Sequence, residues 1–72
     1  MFSAMLVPRD LSQPAFHLSR HLRDDILDEA LRMAFAAGAV IGDVIRISLP
    51  GTGIVGSHTI TVNDALFIHS PF

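Results

Sequence analysis

At 72 residues this sequence holds one domain, with no room for a second core, so two-domain enzymes, complete dinucleotide-binding folds and barrels are excluded by size. Half of the residues are hydrophobic and the mean hydropathy is positive, yet cysteine, tryptophan, tyrosine and lysine are all missing. Without cysteine there is no disulfide framework, no thiolate zinc site and no thiol nucleophile. Five arginines against seven acids give a formal charge of −2, and the arginines are scattered. Duplex nucleic acid is therefore a poor partner, because its non-specific affinity needs a basic face.

The apolar content sets the main expectation. A chain near this length buries only about 60% of the surface it exposes when unfolded. Part of its Val, Ile, Leu, Phe and Met must then stay on the surface or be covered by another chain. Small scaffolds otherwise rely on disulfides, metals or unusually good packing, so oligomerisation is the simplest route from this composition.

In chain order, Met1 to Val7 reads as a short strand, too short and too poorly flanked for a secretory signal. The segment Pro8–Pro14 is turn-rich, its two prolines fixing backbone angles and removing donors. Ala15 to Leu18 is a candidate second strand. From Asp24 to Ala37 the residues Ile26, Leu27, Ala30, Leu31, Met33, Ala34, Phe35 and Ala37 follow a 3.6-residue period, which predicts an amphipathic helix. Asp24, Asp25, Asp28 and Glu29 crowd its start, where carboxylates cap free N–H groups and meet the positive end of the helix dipole. Gly38 is placed for a left-handed C-terminal cap.

After the helix the period becomes two. Val44 to Leu49 alternates between Ile45, Ile47 and Leu49 on one face and Val44, Arg46 and Ser48 on the other. His58 to Val62 alternates similarly, Asn63-Asp64 reads as a turn, and Ala65 to His69 reads as a last strand before Pro71. The expected fold is α+β: one amphipathic helix packed on a small antiparallel sheet of three to four short strands, spanning 1–72 as a single domain. The uncharged run 33–42 is far short of the about 20 apolar residues that cross a bilayer, so the chain is expected in the cytoplasm and off the membrane.

Four groups of residues carry candidate chemistry. Gly51-Thr52-Gly53-Ile54-Val55-Gly56 is a literal GxGxxG, but that motif cradles a pyrophosphate only between a strand and a helix. Here β-branched, alternating residues follow, so a hairpin loop is the expected form, with glycines taking positive φ. His17 and His21 have the i, i+4 spacing of half a metal site on a helix, and His58 or His69 could complete it. No acid stands between the pair, and two exposed histidines at a loop-to-helix junction are the commoner arrangement. The cluster Asp24, Asp25, Asp28, Glu29 offers negative charge to a basic partner. The fourth group is the apolar excess in Phe2, Met5, Val40, Ile41, Ile54, Val55, Phe67 and Phe72, of which Val40-Ile41 and Ile54-Val55 stand between glycines in expected loops. Exposed apolar patches mark interaction surfaces.

No arrangement of serine, histidine and acid stands out, so no enzyme activity and no cofactor is expected. The sequence points to a non-enzymatic protein–protein interaction module that self-associates or occludes another protein's surface, as a structural subunit, adaptor or inhibitor. By association alone, small acidic chains of this type include phage-type accessory proteins that block host defence complexes. The expected interaction surface is Val40, Ile41, Ile54 and Val55 with Asp24, Asp25, Asp28 and Glu29. The alternative is a small-molecule or metal-binding protein using the Gly51–Gly56 loop or the His17/His21 pair.

Overall fold

The computed structural model describes residues 1–69. Four strands and two helices follow one another as β1 (Phe2–Val7), β2 (Phe16–Leu22), α1 (Ile26–Ala36), β3 (Val44–Leu49), β4 (Gly53–Thr59) and α2 (Val62–Ile68). The strands form one antiparallel sheet in the order β2-β1-β3-β4, a small α+β fold. Both central strands are the most hydrophobic ones, as burial on one face and pairing on both edges require.

The alternation read from the sequence sets the two faces of this sheet. Ala4 pairs with Ile47 and Leu6 with Ile45, and these residues face α1. Ala4, Leu6, Leu22, Ile45 and Ile60 join Ala30, Leu31 and Ala34 of α1 in the buried core. The alanines at 30 and 34 let the helix axis come close to the strands, and the half-buried Phe2, Leu18, Ile26, Phe35 and Ile47 close the rim. On the opposite face, Met5 pairs with both His17 and Arg46, and Arg46 pairs with Ser57. One row of four strands thus reads His17–Met5–Arg46–Ser57, uncovered by any helix.

The end of α1 has the expected cap, and its start does not. Gly38, at φ 92, lets its own amide reach the Phe35 carbonyl and the Ala39 amide reach the Ala34 carbonyl at 2.9 Å, a Schellman closure. At the other end Asp25 is the N-cap, in a left-handed conformation at φ 46, and its carboxylate caps no amide. Its carbonyl takes the Glu29 amide instead. Asp24 lies outside the helix, while Asp28 and Glu29 occupy the first turn and meet the dipole. Asp28 also stands 3.2 Å from Arg32 one turn on, an exposed pair of small energetic weight.

Three expected boundaries shift. The second strand runs on to Leu22 because Leu22 fills the core opposite Phe2. The last strand of the sheet occupies Gly53–Thr59 rather than His58–Val62, because positive φ at Gly51 and Gly53 lets the chain reverse within Leu49–Gly53 and pair Ile54 with Ser48 at once. The segment read as a turn and a fifth strand is the helix α2. Thr61 and Asp64 form a capping box: the Thr61 hydroxyl accepts from the Asp64 amide, and the Asp64 carboxylate accepts from the Thr61 amide. Once nucleated, Ala65 and Ile68 turn inward at i, i+3, which strand spacing would not allow. Pro71 and Phe72 lie outside the described residues.

One buried carboxylate ties two loops together. Asp43 is 5% exposed, and its two oxygens accept the Arg9 amide at 2.8 Å and the Val40 amide at 3.0 Å. It joins the β1–β2 connection to the α1–β3 connection. Asp43→Ala strands both amides and is expected to cost about 1–3 kcal/mol, read as a lower urea midpoint with unchanged slope. A loss under about 0.5 kcal/mol would show that water replaces the carboxylate there.

Candidate functional site

The helix layer is narrower than the sheet beneath it. α1 packs on β2, β1 and β3 and makes no comparable contact with β4. The short helix α2 turns back from the end of β4 and touches α1 through Phe35 and His69, whose rings meet edge-on at 5.0 Å, and through Arg32 over the Phe67 ring at 5.8 Å. What remains open is a groove of about 370 Å³ beside residues 55–58 of β4. Its walls are Ile26 and Leu27 on one side and Val55 on the other, with Ile47 and Gly56 between them and His58 at one end. Gly56 matters here by what it lacks: a Cβ at this position would meet open space.

His58 is the best-held polar side chain of this region. It pairs with Ile45 on the helix-facing side of β4, and its Nε2 donates to the Asp64 carboxylate at 2.7 Å. The same Asp64 oxygen accepts the Thr61 amide at 2.8 Å and the Thr61 hydroxyl at 3.0 Å. Burial on its own pushes the Asp64 carboxyl up. The Thr61 amide, His58 and the Thr61 hydroxyl outweigh it together, and the pKa falls below the ordinary 3.8. The pair clamps α2 onto the end of β4, and it also sets His58 at the mouth of the groove with its Nδ1 free of Asp64.

The structure separates the residues that the sequence grouped as one interaction surface. Ile54 and Val55 are at the hairpin end of β4, and Val55 lines the groove opposite Ile26 and Leu27 of the first turn of α1. Val40 and Ile41 are at the other end, in the loop before β3, where Gly42 bonds to the Ile60 carbonyl. All four apolar residues are exposed. His17 and His21 lie on the edge strand β2 rather than on a helix, and His58 and His69 are engaged elsewhere. Among the described residues no three histidine, aspartate or glutamate side chains converge on a point that could hold a metal. The GxGxxG splits between a turn and β4, with a strand on both sides, so its amides are not gathered at a helix start as a dinucleotide requires.

Two features were missed in the sequence. The outer face of α2, with Val62, Leu66 and Phe67 each more than half exposed, was hidden because these residues were assigned to strand and turn. The His58–Asp64 clamp was hidden with it. The Thr61-x-x-Asp64 spacing was the available signal. No family model matches the chain, and no curated protein and no solved structure matches it either.

The clamp has a pH signature. A carboxyl with a lowered pKa stabilises the fold above the unfolded-state value and loses that contribution as pH falls through the folded value. Asp64→Ala removes both the cap and the clamp and is expected to cost about 1–2 kcal/mol near neutral pH. The gap from wild type should close as pH falls below about 3.8. A gap that stays constant in urea titrations down to acid pH would show that Asp64 acts through packing alone.

Proposed function

We propose that this protein is a non-enzymatic protein–protein interaction module that associates with itself and acts by covering a surface, as a small structural subunit, adaptor or inhibitor. The observation that carries this reading is the distribution of apolar side chains. Among the described residues, eight hydrophobic side chains form the buried core, while twelve large ones are exposed. Several of the exposed ones stand on regular elements: Leu27 and Met33 on α1, Ile54 and Val55 on β4, and Val62, Leu66 and Phe67 on α2. Side chains held by regular backbone present a fixed shape to a partner at little further entropic cost.

The electrostatic pattern supports the same reading. No strand carries an acid; the acids occupy loops and helices, while Arg20, Arg46, His17 and His21 lie on strands. The Asp24–Glu29 region and the open sheet face therefore differ in sign. Such polarity orients a partner more than it adds affinity. A role as an inhibitor of a defence complex is one form this module could take, and the apolar β4 side with the acidic start of α1 is the surface we assign to it. No helix among the described residues is long and apolar enough to cross a membrane.

Light scattering coupled to size-exclusion chromatography checks the self-association. The weight-average mass is expected to rise with concentration from the 7.8 kDa of one chain towards twice that value. A mass fixed at one chain up to about 1 mM, where even a 4 kcal/mol association would show, would remove self-association from the reading.

A further inference from the structure

We infer that β4 is the dimerisation edge: two copies join their β4 strands antiparallel about a two-fold axis near the middle of the strand, making one eight-stranded sheet. This rests on the self-association proposed above and names the surface that performs it.

The two edges of the sheet are built differently. β2, at one edge, carries Arg20, His17 and His21 and is interrupted by two irregularities in its pairing with β1. Charge and bulges are the ordinary means by which an edge strand is kept from pairing with another chain. β4, at the other edge, has one irregularity of its own, where Val55 stands between the Ile47–Gly56 and Ser48–Ile54 pairs, but it reads GIVGSHT, with no arginine, acid or proline; charge is what separates the two edges. Its one titratable residue, His58, points to the helix side and is bonded to Asp64. Every residue of β4 except His58 is exposed. Its outer row of amides and carbonyls has no partner strand, which is the template on which a further strand adds.

The occupant is a second copy because the edge is complementary to itself. A two-fold contact places the same patch on both sides, and an uncharged strand meets its own image without repulsion. The direction follows from the symmetry: a two-fold axis normal to the sheet relates the two β4 edges antiparallel and keeps the helices of both copies on one face. Ile54, Val55, Leu27 and Val62 add apolar surface beside the ladder.

Because the chain has no cysteine, single introduced thiols report the geometry directly. Val55→Cys, Gly56→Cys and Ser57→Cys scan the middle of β4; His21→Cys on β2 and Val40→Cys in the loop before β3 are the controls. Folding of each variant is checked by circular dichroism before mild oxidation. At least one β4 variant is expected to form a disulfide-linked dimer at a rate at least tenfold above both controls. Val55→Lys is expected to shift the light-scattering mass towards one chain. A wild-type dimer in which β4 cysteines stay unlinked, or in which His21→Cys or Val40→Cys links instead, overturns the β4 assignment and leaves self-association standing. A wild-type chain that remains a monomer overturns both.

Discussion

One helix cannot cover four strands, and most of the architecture follows from that mismatch. A four-stranded sheet is roughly 15–20 Å wide, while a helix with its side chains is about 10–12 Å across. With α1 seated over β2, β1 and β3, held close by Ala30 and Ala34, the strip above β4 falls outside its reach. The seven-residue helix α2 does not cover that strip: it packs against α1 and meets β4 through the His58–Asp64 pair. The groove beside Val55 and Gly56 is the uncovered remainder.

The polar contacts are arranged to hold this partial cover in place. Asp43 fastens the loops at one end of the sheet by accepting two backbone amides. The His58–Asp64 pair fastens α2 to β4 and completes its capping box. Both carboxylates spend their hydrogen bonds on the fold itself and act as clamps. The surface left after these clamps is apolar on the β4 side, negative at the start of α1 and cationic on the open sheet face. That combination supports the proposed recognition of a protein surface, and the uncharged β4 edge is where we place it.

The candidate surface was only partly legible before folding. Ile54 and Val55 are exposed, as the flanking glycines suggested, but on strand β4 rather than in a loop. Val40 and Ile41 carried the same signal and stand at the opposite end of the β3–β4 hairpin, since a sequence pattern reports exposure but not which exposed residues are neighbours. His17 and His21 show the same limit: an i, i+4 spacing unites two side chains on a helix and has no such meaning on a bulged strand.

What the sequence determined by itself is periodicity and its interruptions. The 3.6-residue stripe made α1, the alternation from Val44 to Leu49 made β3 to the residue, and positive φ falls at Gly38 after α1, at Gly51 in the turn after β3 and at Gly53 where β4 begins. Tertiary structure alone decided the rest. Ala65–His69 is short enough to suit strand or helix, and the outcome rested on Asp64 meeting both Thr61 and His58, the latter six residues away on another element. The order β2-β1-β3-β4, and with it the choice of β4 as the bare edge, likewise depends on which strands share the limited cover of α1, because identical alternation in each strand leaves their neighbours unspecified.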